Sequence, residues 1–440
     1  MKRMICLMLS AVLLLSGCVK APETSGQEPE EKIEYLLQFT PVDRTKEPED
    51  PQQRLQWRRD MAEQEMRRMM SVLWTPAEDI TYCYNMKSGG LATDQVSFPS
   101  YIVTLKAGRI YQGIPYTHGC GSGDAMISYA TEVSDKGVYT LTGLTWEHFS
   151  GAAQSTQQKR ARLGNNCADS VFWAWATVSN SITFKGTTTM TKSFGCIPVG
   201  EYTTVPVQYY GHTRDLCTSN GEQTMYAAYA QMQKADGLVF VNGQDTGHAI
   251  MCVSVHVERN EQGQIDGKKS HAVILEQTSS FEKSEKHYFN EELGQEVYLC
   301  EELDTVMTFE ELYQTGYLPV TCKELVDPAP LEEVAVNDYQ KDVTAQNMFE
   351  GEIKASHRIA FVRAQVLDAD GKQVQDAVCY GKEEEMYRFD LTRFMDKKEQ
   401  AVMQGSVDLT ALPAGSYRVI LTAHLSTGDD VEFRNIEVTK

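Results

Sequence analysis

Long apolar runs are scarce in this chain of 440 residues. Beyond the opening segment none approaches the ~18 residues that a membrane-crossing helix needs, so no later transmembrane span is predicted. Positive charge is also short. Lys and Arg total 41 against 61 Asp and Glu, a formal net charge of −20. A polyanion of that size is not expected to grip nucleic acid or anionic lipid by charge. There is no Cys-x-x-Cys pair, and His118, His212, His256 and His271 show no metal-ligand spacing, so neither a metal nor a cofactor is expected. Gly119-Cys120-Gly121-Ser122-Gly123 lacks the following Lys-Ser/Thr of a phosphate loop. No internal repeat is present. What remains is an ordinary globular composition, 42% hydrophobic and 23% charged, long enough for two or three domains with real cores.

The first residues do carry a signal. Lys2 and Arg3 precede an apolar stretch from Met4 to Leu15, and small residues follow immediately before Cys18. This has the shape of an export signal over residues 1–17, too short to span a bilayer. Leu15-Ser16-Gly17-Cys18 resembles the lipobox of bacterial lipoproteins. That resemblance implies cleavage before Cys18, lipid on its thiol, and an extracytoplasmic chain anchored to a bacterial membrane. Of 11 cysteines, removing Cys6 with the leader and Cys18 to lipid leaves nine. An odd count fits one functional thiol plus up to four disulfides, and fits buried free thiols equally well.

Five of the 14 prolines fall between Pro22 and Pro51, which marks residues 18–51 as a flexible tether. Leu55, Ala62, Met66, Met69 and Leu73 then recur at helical spacing, predicting an amphipathic helix that ends near Trp74-Thr75-Pro76 and packs its methionines on a core. Short β-type runs, such as Tyr101 to Leu105, alternate with turns and a few helices as far as about residue 325. Composition shifts at Asp327-Pro328-Ala329-Pro330. Alternating strands follow, including Ile359 to Leu367 with a turn at Asp370-Gly371, and Ser416 to Leu421 with a turn at Thr427 to Asp430. The expected architecture is α+β over 52–327, followed by an all-β immunoglobulin-like sandwich over 331–440.

Chemistry concentrates around Asn166-Cys167-Ala168-Asp169. Asn is a good N-cap, and Ala168, Val171, Phe172, Trp175 and Val178 follow helical spacing, so Cys167 should open a helix. Unpaired N–H groups there favour the thiolate, lowering a thiol pKa from ~8.5 to about 3.5–7.5 when a base is near. A base is available. Asp236 to Val241, Gly247 to Val255 and Ser270 to Thr278 read as three strands. An antiparallel hairpin brings His248, at the start of one, beside Glu276, at the end of the next. Imidazole as base and carboxylate as its orienter complete a triad, with Gln277 an alternative orienter. Cys120 has no helical run to activate it, Cys196 reads as a loop or disulfide position, and Cys252 as buried.

This order, a cysteine on a helix followed by Gly-His on a later strand, resembles the papain-like NlpC-type and CHAP-type cysteine hydrolases of bacterial cell walls. Gly113-Ile114-Pro115-Tyr116-Thr117-His118-Gly119 resembles their G-x-P-Y-x-x-G motif, and Lys234-Ala235-Asp236-Gly237-Leu238-Val239-Phe240 a variant of P-G-D-L-V-F-F. Glu276-Gln277-Thr278 resembles the E-x-N ending of CHAP domains. The match spans roughly residues 110–280. It departs from the family at D-C-S-G, here Asn166-Cys167-Ala168-Asp169, and in the long interval between Tyr116 and Cys167. The resemblance implies a papain-like fold and amide hydrolysis through a Cys167 thioester, with His248 shuttling the proton and Glu276 holding the ring. It implies oxyanion contacts from the Cys167 N–H and Tyr116. A peptidoglycan stem-peptide bond or the muramoyl–alanine amide is the implied substrate, and a peptide from outside the wall is left open. An amidotransferase uses the same thioester. A non-catalytic wall-binding or scaffold lipoprotein is the alternative from another class, and the oligomeric state is left open.

Overall fold

The computed structural model describes residues 46–83, 102–117, 121–142, 145–148, 158–161, 164–182, 196–203, 212–242, 247–278, 285–381, 386–392 and 401–440. The expected leader, Cys18, the tether up to residue 45, His118 and Cys120 lie outside these residues. The protein is mixed α/β and mostly strands, in several sheets, with six helices among the described residues. None of these helices is long and apolar enough to cross a membrane.

Helix α1 (Pro51–Ser71) begins where Asp50 accepts the Gln52 and Gln53 N–H groups, with Pro51 at the position where a missing N–H costs nothing. Ala62, Met66, Met69 and Met70 are buried. The helix stops short of Trp74, because Leu73–Pro76 is instead a strand. It pairs antiparallel with Ile110–Gln112 on one side and parallel with Tyr139–Leu141 on the other. Ladder bonds on both edges outweigh the helical period there. The buried face of α1 is also less apolar than its methionines suggest. Arg58 is fully buried, paired with Glu47 and donating to the carbonyls of Glu324, Asp327 and Ala329. Arg59 binds the Asp236 carboxylate at 2.8 Å and the carbonyls of Lys234 and Leu325. Two adjacent arginines thus fasten α1 to the segment near 325 and to the entry of a central strand.

That strand belongs to a six-stranded antiparallel sheet built from β1 (Cys196–Pro198), β2 (Gly237–Val241), β3 (Gly247–His256), β4 (His271–Glu276), β5 (Glu302–Thr308) and β6 (Leu318–Cys322), in the order β5-β4-β3-β2-β6-β1. Its centre is apolar on both faces. Side chains alternate across a strand. Val239, Ala249, Met251 and Leu275 join one core with α1 and helix α3 (Cys167–Ala176). Leu238, Ile250, Cys252, Ala272 and Ile274 join another, with helices α4 (Thr213–Asn220), α5 (Glu222–Tyr229) and α6 (Phe309–Thr315). The remaining helix, α2 (Gly123–Ile127), is capped by Ser122. A second six-stranded sheet runs, in spatial order, His287–Asn290, Gln295–Leu299, Ile110–Gln112, Leu73–Pro76, Tyr139–Leu141 and Ala130–Val133.

Past residue 335 the described residues form strands and one 3-10 turn. Five form one sheet (Ile359–Leu367, Gln373–Gly381, Ala401–Gly405, Ser416–Leu425, Asp430–Thr439) and three another (Val336–Asp338, Glu350–Ala355, Tyr387–Asp390). Val362, Ala364, Val419 and Leu421 from the first meet Ile353, Tyr387 and Phe389 from the second in a separate core. The other face of the five-stranded sheet is not free. Ala360, Phe361, Val378 and Tyr380 join the core that holds α1 and α3, Tyr380 stacks on Tyr129 at 4.8 Å, and Ser426 donates to the Ala176 carbonyl at the end of α3.

Candidate functional site

Cys167 is the first residue of α3, as expected from its N-cap. The Asn166 side chain accepts the Ala168 and Asp169 N–H groups, both at 3.1 Å, and its amide donates to Asp169 at 2.7 Å. Asn166 just before the cysteine and Asp169 two residues after it therefore close the helix start. Every residue of α3 is buried, which suits a helix packed between α1, the central sheet and the C-terminal sheet. Trp175, one of these, donates to the Ala235 carbonyl at 2.7 Å and locks the helix to the β2 entry.

His248 stands at the start of β3 and Glu276 at the end of β4. The strands pair with Met251 opposite Leu275, a register that places Glu276 one diagonal step from His248 rather than directly across. A glutamate is long enough to span a diagonal. Its Oε2 lies 2.9 Å from His248 Nε2. The Cys167 thiol and the His248 ring interact, each favouring the charged form of the other. Phe240, the cross-strand partner of His248, presents its ring at 6.3 Å and is held at right angles by Tyr317 at 5.0 Å. Nothing in the sequence singled out that aromatic wall, which follows from strand register.

The electrostatics set Cys167 apart from Cys196, Cys217, Cys252, Cys322 and Cys379. Burial pushes Cys217 up to about 11 and Cys196 and Cys379 up to about 12, and it raises Cys252 and Cys322 as well. Cys167 is buried too, and burial works against its charged form. The hydrogen bond and charge of His248, the Ala249 N–H and the Tyr116 hydroxyl outweigh that penalty and bring the thiol below its ordinary value. For His248, burial opposes the imidazolium, but Cys167 and Glu276 raise its pKa to about 10. The two residues stabilise each other as thiolate and imidazolium. Among the described residues Cys167, Cys196, Cys217, Cys252, Cys322 and Cys379 are buried free thiols. Cys196, expected at a loop or disulfide position, opens the edge strand β1 opposite Cys322.

Tyr116 reaches the sulfur from a third segment. The chain at Tyr116 bridges Asn165 in parallel, and the Thr117 N–H donates to the Asn165 carbonyl at 2.9 Å. This runs the Gly-x-Pro-Tyr stretch alongside the residues that enter α3. Gly113 has φ +88° with Glu301 pressed against the space a Cβ would fill, and Gly164 has φ +105° with Pro115 and Thr117 in that space. Only glycine permits both the left-handed backbone and the close approach. Gln277, weighed as an orienter, does not contact His248 through any bond seen here. It is buried, with its Nε2 on the Ile114 carbonyl at 2.9 Å and its Oε1 accepting from Ser170 Oγ at 2.7 Å. The cluster can hold a charged nucleophile, move one proton, and donate hydrogen bonds from a hydroxyl and a backbone N–H at the same point. Compared with protein-family models, curated proteins and solved structures, the chain matches none.

Proposed function

We propose that this protein is a papain-like cysteine hydrolase that cleaves an amide bond, in peptidoglycan stem peptides, and is carried on a bacterial membrane by lipid at Cys18. The single observation that supports it most is the Cys167–His248–Glu276 line, in which a thiol lowered in pKa interacts with an imidazole that a carboxylate holds at 2.9 Å. α1, α3 and the central sheet are read as the papain-like part, and residues 331–440 as the immunoglobulin-like sandwich.

The chemistry follows from the resting proton positions. The Cys167 thiolate attacks the amide carbonyl carbon and forms an S–C bond. Negative charge moves to the carbonyl oxygen, where the Cys167 N–H at the helix start and the Tyr116 hydroxyl donate. His248 gives its proton to the amide nitrogen, the C–N bond breaks and the amine leaves. Water then attacks the thioester carbon, His248 takes its proton, and the acid departs as the thiolate–imidazolium pair is restored. Glu276 keeps the ring oriented through both half-reactions and stabilises its charged form whenever it holds the proton.

The test is incubation of the chain from Val19 onward with purified peptidoglycan, beside its Cys167→Ala variant, with products read by mass spectrometry. Starting at Val19 keeps Glu47 and Asp50, which pair with and cap α1. New stem-peptide fragments from the unmodified chain alone are the expected result and name the bond. No fragments from either, with both chains retained on the wall, would replace the hydrolase with a binding protein.

A further inference from the structure

We infer that Gln277 is a positioning residue, a buried amide strut that holds the Tyr116 segment against the start of α3 so that the Tyr116 hydroxyl reaches Cys167. The inference rests on the hydrolase reading of this site.

The amide joins all three segments that build the site. By sequence Gln277 follows Glu276, so its backbone is anchored at the end of β4. Its Nε2 donates to the carbonyl of Ile114, two residues before Tyr116. Its Oε1 accepts from Ser170, one turn after Cys167. The orientation of the amide is determined by its surroundings. A carbonyl oxygen only accepts, so the NH2 end must face Ile114, and Ser170 must then donate to the oxygen. Ser170 Oγ also lies 2.9 Å from the Asn166 carbonyl and 3.3 Å from Asn165 Oδ1. Its one hydrogen therefore serves several acceptors, and its shortest contact is with Gln277.

Position matters here because the Ile114 segment is tied in two directions. The N–H groups of Gly113 and Ile114 donate to Val72 and Met69, which fasten the segment to the end of α1 and the residue beyond it. Towards α3 the segment is held by the Tyr116–Asn165 bridge, the Thr117 N–H and this amide. Gln277 is 2% exposed, so water does not replace a lost bond. With the amide removed, the Ile114 carbonyl and the Ser170 hydroxyl lose their shared partner. The segment then relaxes away from the cysteine, and the thiolate loses a donor without any change in a residue that touches it.

The experiment measures the rate of Cys167 alkylation by iodoacetamide against pH, site-resolved by peptide mass spectrometry, in the full chain. The variants are Gln277→Met, Tyr116→Phe and the double variant, each checked for folding by its thermal transition. Met keeps the length and removes both hydrogen bonds. Tyr116→Phe is expected to raise the midpoint of thiolate formation by about one unit. Gln277→Met should give a comparable rise, and the double variant should rise no further than Tyr116→Phe alone. An unmoved profile in Gln277→Met, or a shift that adds fully to that of Tyr116→Phe, would overturn the role of Gln277. Should Gln277→Met fail to fold, Ser170→Ala, which deletes only the hydroxyl on the same amide, takes its place under the same criteria. A Cys167 that titrates at the ordinary ~8.5 in the unmodified chain sinks the hydrolase reading itself, an outcome separate from the others.

Discussion

Replacing Glu276 with Gln keeps the shape of the side chain and removes its charge. Glu276 Oε2 sits 2.9 Å from His248 Nε2, and both side chains are mostly out of water, 25% and 19% exposed. A hydrogen bond to a charged group is worth about 1.5–3 kcal/mol, and one pKa unit corresponds to about 1.4 kcal/mol. Losing the carboxylate should therefore lower the pKa of His248 by about one to two units from its raised value of about 10. The sign follows from which state carries the charge. The folded pKa of His248 lies above the ordinary 6.5, so the stability contributed by the ion pair is fully present below 6.5 and is lost as pH rises through about 10. In Glu276→Gln that loss should begin one to two units earlier. The assay is nitrogen-15 NMR of the imidazole ring across pH 5 to 11, with His248 assigned by its absence in His248→Ala. A midpoint within about 0.3 unit of the unmodified protein would mean that Glu276 neither holds nor charges the ring, and the argument from the hairpin would fail.

Three further outcomes follow from the packing. Arg59→Met strands Asp236, 1% exposed, without its partner at 2.8 Å, and should cost about 3–5 kcal/mol in a denaturant titration; a loss under 1 would show that the pair is not buried in solution. His424 lies between Asp430, at 2.9 Å, and Asp124, which is 3.3 Å away without a directed hydrogen bond. Despite burial these carboxylates raise the His424 pKa to about 9, so its stabilising contribution, whole below 6.5, should fade as pH rises through about 9. His424→Gln should remove that part of the pH dependence, and a variant whose stability falls over pH 7–9 as steeply as before would contradict it. Ala235 is fully buried at φ +67°, where a β-branched side chain is strained. Ala235→Val should cost more than about 2 kcal/mol, while Ala235→Gly should stay within about 1 kcal/mol; equal losses in the two would remove backbone strain as the cause.

What local sequence could settle was settled by short-range rules. The Asn166 cap and the apolar spacing after it placed Cys167 at a helix start, because capping and helical period act within one or two turns. The strands around His248 and Glu276 were legible for the same reason, since alternation and turn residues act locally. Strand boundaries at Ile359–Leu367 and the turns at Gly371 and Gly428 also followed from nearest neighbours. Helix α1 was legible at its start and not at its end. Nothing near Leu73 announces that strands at 110–112 and 139–141 will claim it from both sides.

Tertiary structure decided everything that depends on partners far away in the chain. Sequence allowed either Glu276 or Gln277 to orient the imidazole. Register turned Glu276 to the ring and left Gln277 to bind Ile114 and Ser170, segments 163 and 107 residues distant. The direction of the Cys167 shift likewise needed more than a helix start. Burial raises Cys196, Cys217, Cys252, Cys322 and Cys379, and at Cys167 the convergence of His248, Ala249 and Tyr116 on one sulfur reverses that sign. The C-terminal strands could be read as a sheet pattern, but not the docking of their outer face on the core that carries α3. Composition reports how apolar a face is, and only the folded chain determines what covers it.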